Sequence, residues 1–267
     1  MSESKPAIWI HGASGRMGQE IQKALAERGR PFRLIGGSGY KFEGADFQPD
    51  EDVTASALAE ALDKYAVELI VDFSAPEANV LLLDAMRTSH RRGMAVLLGT
   101  TGLTPEQLTR WRDVASAGGH RILVAPNTSI GILLLAKTAL LAAGVAASLS
   151  FDVEIVETHH RAKKDAPSGT AKFLAETIAS GVDGLEPQYD RRGARRAGEI
   201  GVHAVRGGGV YGEHEVRIIG DSEEICLSHR AFSRALFAAG ALTLGTWLLY
   251  KKPGYYSLLD VDLKDLR

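Results

Sequence analysis

The chain has 267 residues, enough for one large domain or two modest ones. Its composition, 45% hydrophobic and 24% charged, is that of an ordinary globular protein, and a net charge of −2 gives no basis for nucleic acid or an anionic membrane as partner. One cysteine, Cys226, excludes an intrachain disulfide and suits a reducing cytosol.

The N-terminal "MSESKPAIWI" lacks the charged-then-apolar profile of a signal peptide. The longest apolar run, "ILLLAKTALLAAGVAA" (132–147), carries Lys137 and falls short of the roughly 20 residues that cross a bilayer, so a buried helix is predicted there. A soluble, cytoplasmic protein without membrane contact is expected.

"AIWIHGASGRMGQEIQKALAE" passes from a short apolar strand through Gly12, Gly15 and Gly18 into a helix. Met17, Ile21 and Leu25 are predicted to mark its buried face. A strand turning through glycines into a helix N-terminus is the dinucleotide-binding pattern, because backbone N–H groups there hold a pyrophosphate. The spacing here is GxxGxxG, with Ser14 where the second glycine usually stands. After the second strand, "PFRLIGGSGYKFEGADF" offers Ser38, flanked by Arg33 and Lys41, where an acid would bind the ribose of NAD. NADPH is therefore expected to serve at least as well as NADH.

Three further strands end in small polar turns followed by helices: Asp72-Phe73-Ser74, Gly99-Thr100-Thr101 and Ala125-Pro126-Asn127. Pro76 and the Thr104-Pro105 pair are predicted to start two of those helices. The alternation implies a Rossmann-like, doubly wound parallel α/β sheet whose ligand lies beyond the strands' C-terminal ends.

From about residue 148 the pattern changes. "SLSFDVEIVETHH" alternates Phe151, Val153 and Ile155 with a wetter set, and 199–233 supplies further strands between Gly-rich turns. A smaller α+β domain with a mixed sheet is predicted, with domains at 1–127 (plus a C-terminal return, 237–267) and 128–236. Cys226 is expected to pack as a buried thiol, and "RRGARR" (191–196) to form a solvated loop.

"THHRAKKDAPSGTA" (158–171) joins the first of these strands to a helix. Ser168 suits an N-cap, and Gly169, Thr170 and Ala171 would form a first turn able to hold a carboxylate. Lys163 and His160 add charge for the same ligand, and the His159 imidazole can give up a proton near neutral pH. His203, His214 and His229 read as hydrogen-bonded structural residues. A metal site from Glu157, His159 and His160 is disfavoured, since adjacent strand residues point to opposite sides; no metal is expected. The residues themselves leave open another dehydrogenase of the same plan, or a nucleotide-binding protein without catalysis.

"EIVETHHRAKKDAPSGTA" resembles the E-x-H-H-x-x-K-x-D-A-P-S-G-T-A signature of the 4-hydroxy-tetrahydrodipicolinate (dihydrodipicolinate) reductase family of lysine and diaminopimelate biosynthesis. "GASGRMG" (12–18), "VDFSAPE" (71–77), "GTTG" (99–102), "APNTSIG" (125–131), "IGVHAVRGGGVYGEH" (200–214) and "SHRAFSRALFAAGAL" (228–242) carry the likeness along nearly the whole chain. The resemblance implies hydride transfer from NADPH or NADH to a cyclic dicarboxylate with loss of water, an oxidoreductase activity. It implies His159 and Lys163 as proton donors, with His160, Ser168, Gly169 and Thr170 on the substrate carboxylates. It implies cofactor contacts from Gly12, Ala13, Ser14, Gly15, Arg16 and Met17, from Gly99, Thr100 and Thr101, and from Ala125, Pro126, Asn127 and Thr128. A homotetramer assembled through the second domain's sheet follows from the same likeness. The family's acidic residue after the second strand is missing, Pro126 and Thr128 replace a frequent Ala and aromatic, and Gly209 replaces a frequent Asp.

Overall fold

The computed structural model describes residues 5–26, 32–38 and 53–266. The chain opens with β1 (Ala7–His11), α1 (Arg16–Ala26), β2 (Arg33–Ser38), α2 (Ala55–Lys64), β3 (Leu69–Asp72), α3 (Pro76–Thr88), β4 (Ala95–Leu98), α4 (Pro105–Gly118) and β5 (Arg121–Val124). It continues through α5 (Ile130–Ala147), β6 (Asp152–His159), α6 (Gly169–Gly181), β7 (Glu186–Gln188), β8 (Glu199–Arg206), β9 (Glu213–Ile219) and β10 (Glu224–Arg230). It closes with α7 (Ala235–Leu249) and β11 (Gly254–Ser257). Two compact units result, one running to Thr128 and resuming at Ala235, the other Ser129–Arg234.

The first unit is a six-stranded sheet of order β11-β5-β4-β3-β1-β2, parallel throughout. Its central strands are buried on both faces, which is why they read as unbroken apolar runs rather than alternating ones. Trp9, Ile70, Val96 and Trp111 belong to a core shared with α2, α3 and α4. The other helices, α1 and α7, pack on each other, and α7 also lies against β3, β4 and β5. A side chain at Gly245 would strike Leu69, so α7 comes close to the sheet there. The buried face of α1 is Gly18, Ile21 and Ala24, not Met17–Ile21–Leu25; Met17 and Leu25 are half-buried. The helix turns Gly18 inward because a Cβ at that position would collide with Gly12 O and Ala13.

Strand order reverses between β1 and β3, since β2 lies to one side of β1 and the later strands to the other. In sheets of this kind ligands bind at such a reversal, beyond the C-terminal ends of the strands. Ser38 ends β2 in register with His11. Lys41 and the linker after Ser38 (39–52) lie outside the described residues.

The second unit is a mixed sheet of order β10-β9-β6-β8-β7, antiparallel at β10/β9/β6 and parallel at β6/β8/β7. Both α5 and α6 cover one face, burying Val153, Ile155, Ile200, Val202, Val216 and Leu174 among others. The 18-residue α5, with a mean hydropathy of 2.1, is two residues longer at its N-terminal end than the apolar run read from the sequence and reaches membrane-spanning size by length and composition only. Its buried face is core, yet Leu134, Leu141 and Val145 form an open stripe, so it is only half a buried helix.

Two sequence expectations fail on the opposite sheet face. Cys226 is exposed, because β10 is an edge strand and Cys226 pairs with Arg217 on the side the helices leave open. Nor is 191–196 merely a solvated loop: Arg191 makes two bonds of 2.7 and 2.9 Å to Glu154, and Arg195 lies 2.9 Å from Asp152. These side chains fold back over the strand, bordering a cavity of about 480 Å³.

Candidate active site

The sequence-predicted residues fall into two groups, one in each unit. In the first unit, Gly12–Met17, Gly99–Thr101 and Ala125–Thr128 follow β1, β4 and β5, whose C-terminal ends lie along one edge of the parallel sheet with β3 between β4 and β1. Gly12 has φ +84°, and a Cβ there would lie 2.6 Å from Phe73 O, so only glycine fits this turn. The Gly15 N–H closes the turn on Gly12 O at 3.0 Å. Beyond it α1 begins, with no acidic residue in its first turn and with Gly15 and Arg16 exposed. A helix start leaves its first N–H groups without intrahelical acceptors, so this turn can receive a phosphate.

The neighbouring strand ends are braced by one buried carboxylate. Asp72 accepts from Ser74 Oγ at 2.6 Å, Asn79 Nδ2 at 2.7 Å and Thr100 Oγ1 at 2.8 Å, and Trp111 Nε1 donates to Asn79 at 3.0 Å. The Thr100 hydroxyl is therefore committed to the scaffold. Thr128 Oγ1 likewise donates to Phe237 O at 2.7 Å, while Ala13 and Ala125 are fully buried. These four positions therefore present almost no accessible surface, whereas Ser14, Gly15, Arg16, Pro126 and Thr101 keep it.

In the second unit, β6 carries Glu157 and His159 two residues apart, hence on one face. Nδ1 of His159 meets Glu157 Oε2 at 2.5 Å. The same carboxylate accepts from the Ser168 N–H at 2.9 Å and from Arg206 at 2.7 and 2.8 Å. Burial alone would raise the Glu157 pKa, but the hydrogen bonds from His159, Arg206 and Ser168, with the His159 charge, hold it down at about 2. Fixing Nδ1 on an ionised carboxylate orients the ring and leaves Nε2 for proton transfer. Gly212 packs closely beside it: a Cβ there would approach His159 Nε2 to 3.0 Å, so the ring would have to shift slightly.

Ser168 caps α6, its Oγ accepting from the Ala171 N–H at 3.2 Å and meeting His214 Nε2 at 3.2 Å. Its N–H and hydroxyl are thus both used internally, unlike a free substrate ligand. Lys163 Nζ lies 2.9 Å from Asp165, a carboxylate also approached by the Gly169 N–H. His160 is half-buried, with its N–H on Val210 O at 2.8 Å. Glu157, His159, Lys163, Ser168 and Gly169 therefore gather around one strand–helix junction. Among the described residues no group of His, Cys, Asp and Glu is arranged to hold a metal ion.

Arg206 was not singled out from the sequence, and Glu157, weighed there only as a metal ligand, and His214, read as a hydrogen-bonded structural residue, were not placed at this junction. Glu157 could have been, from its spacing of two before His159. Arg206 and His214 come from β8 and β9, and nothing local to the signature points to them.

Two family models cover most of the chain: dihydrodipicolinate reductase, N-terminus, over residues 7–128, and dihydrodipicolinate reductase, C-terminus, over 131–261. A 4-hydroxy-tetrahydrodipicolinate reductase of Myxococcus xanthus is 37% identical over 266 residues, covering 94% of this chain and 96% of that protein. One from Methanospirillum hungatei is 37% identical over 256 residues, covering 95% and 97%. Among solved structures, the dipicolinate-bound dihydrodipicolinate reductase from Paenisporosarcina sp. TG-14 aligns with a TM-score of 0.74 at 26% identity, covering 97% of this chain and all of that one. A glycine turn on a parallel sheet, a histidine–lysine junction on a mixed sheet and these full-length matches lead to one conclusion: the chain belongs to the dihydrodipicolinate reductase family of nicotinamide-dependent reductases.

Proposed function

We propose that the protein reduces 4-hydroxy-tetrahydrodipicolinate to tetrahydrodipicolinate, with NADPH or NADH as donor, in lysine and diaminopimelate biosynthesis. In the net reaction one hydride and one proton enter and the substrate hydroxyl leaves as water. The bound nicotinamide supplies the hydride. The Gly12–Met17 turn would hold the nucleotide's phosphates on backbone N–H groups, with Gly99–Thr101 and Ala125–Thr128 along the remainder and Ser38 near the ribose.

The substrate is a dicarboxylate, and the single observation that carries this reading is the charged junction at the start of α6. There Lys163 and the Gly169 N–H already grip a carboxylate, that of Asp165. A substrate carboxylate would take the same donors, together with Thr170 and His160. His159, aligned by Glu157, and Lys163 are the proton donors. β2 ends in Ser38 rather than an acid, which supports NADPH as at least the equal of NADH. A cytoplasmic homotetramer assembled through the open face of the second sheet completes the reading.

Following nicotinamide absorbance after adding freshly prepared substrate tests it. Decay is expected with both nucleotides, with kcat/KM for NADPH equal to or above that for NADH. No decay would overturn the activity, and a strong NADH preference would overturn the cofactor assignment.

A further inference from the structure

We propose that His214 is a positioning residue for this reduction: it locks the capping serine of α6 and the His159 ring into one rigid arrangement. The proposal rests on the functional reading above, and its geometry stands independently of it.

His214 is 4% exposed and lies on β9 directly opposite Glu157 of β6. Yet it does not bond that carboxylate. Its Nε2 meets Ser168 Oγ, while its ring stands edge-on to His159 with centroids 5.1 Å apart and planes at 76°. Ser168 is consequently held twice, by Glu157 at its N–H and by His214 at its hydroxyl. Both grips act on the residue immediately before Gly169 and Thr170, whose N–H groups start the helix.

Proton counting fixes the direction of the His214 bond. Ser168 Oγ already accepts from Ala171, and His214 Nδ1 is buried without a partner. If Nε2 accepts the serine hydrogen, one buried donor is orphaned, the Nδ1–H. If Nε2 instead carries the proton, both the serine O–H and the Nδ1 lone pair are orphaned. The first arrangement loses less. It also requires a neutral ring, and the surroundings enforce one. Burial, then the charges of His159, His229 and Lys163, push the His214 pKa down to about 3, with Glu157 opposing. His229 faces it from β10, itself bonded at 3.3 Å to Ser129, the capping serine of α5. A hydrophobic core position would need none of this.

The role has two consequences. Loosening the cap should weaken the grip on the dicarboxylate, and tilting the His159 ring should slow proton delivery. The nucleotide, held by the other unit, should be indifferent.

The test combines ring ¹⁵N spectroscopy with a double-mutant cycle. Long-range ¹H–¹⁵N spectra of the wild type should show His214 neutral and protonated on Nδ1 from about pH 5 to pH 9, with Nε2 moving in Ser168→Ala. His214→Met, which keeps bulk but offers no acceptor, and Ser168→Ala should each lower kcat/KM for the dicarboxylate about tenfold, the double variant losing no more than the worse single one. His214→Gln restores an acceptor near the Nε2 position and should recover to within about threefold of wild type, guarding against a folding artefact. The KM for NADPH should stay constant throughout. Wild-type turnover with a protonated Nε2, with multiplicative losses, or with an equal rise in the NADPH KM would overturn the positioning role alone. A wild type that leaves NADPH untouched would remove the functional reading, and the role with it, while the spectra still decide the Ser168–His214 bond.

Discussion

The two strand–helix junctions proposed to receive anions are built by opposite means. At β1/α1 the receiving surface is backbone: Gly12 bends the chain, Gly15 closes the turn, and no carboxylate stands in the helix's first turn. At β6/α6 it is a lattice of side chains, with Glu157 tied to His159, Arg206 and Ser168, and His214 closing the far side. A backbone site suits a ligand that is held but not altered at the point of contact. A side-chain lattice suits one that must receive protons, because only side chains carry a proton with adjustable affinity.

Breaking each junction separately tests that division. Lys163→Ala should produce the largest effect, lowering kcat by about 10²–10⁴-fold while NADPH affinity, measured by fluorescence titration, is unchanged. An equal loss of both would place the lysine with the nucleotide or the fold. Glu157→Gln comes next. It leaves the Arg206 guanidinium facing a neutral amide in a fully buried position, so denaturant unfolding should show a loss of about 3–5 kcal/mol, with activity falling as His159 loses its guide. A stability unchanged within error would mean that the carboxylate does not organise the junction. Gly12→Ala should cost about 1–3 kcal/mol, since φ +84° and the Phe73 carbonyl both oppose a Cβ. It should weaken NADPH and leave dipicolinate binding alone.

Acidification makes a gentler comparison. His214 in the second unit and His120 in the first have folded pKa values of about 3 and about 4, both below the ordinary imidazole value of 6.5. For His120 the cause is burial, then the Arg92 charge. Between 6.5 and those values the unfolded chain binds more protons than the folded one, so stability is complete above 6.5 and declines as the pH falls. Glu157, held at about 2 against an ordinary 4.5, adds a further loss as the pH drops from 4.5 toward 2. Each fully linked proton contributes a slope of at most about 1.4 kcal/mol per pH unit. Unfolding free energies from pH 7 to pH 4 should therefore fall, and His120→Asn and His214→Gln should each flatten the curve. A flat wild-type profile would contradict the burial of both rings as neutral groups.

The same contrast explains what the sequence disclosed. Glycine spacing, Pro76, the Thr104-Pro105 start and apolar strands are local features, and each describes its own backbone. The parallel sheet and its polar turns were legible for that reason. So was the Ser168 cap, which depends on a hydroxyl three residues from its partner. Arg206 and His214 were not, because they reach the junction from strands 49 and 46 residues away from Glu157 and Ser168 respectively. Cys226 misled for a related reason: an apolar-looking run does not reveal that its strand is an edge, or which face the helices leave open. Thr100 was placed correctly at a strand end, but its hydroxyl serves Asp72.

The central claim, that nucleotide and dicarboxylate are received at different strand–helix junctions, is tested most directly by following amide resonances during separate titrations with NADPH and dipicolinate. Dipicolinate should shift the Gly169 and Thr170 amides and leave Gly12–Met17 still, whereas NADPH should do the reverse. Dipicolinate shifts confined to Gly12–Met17, with the start of α6 unmoved, would contradict the account.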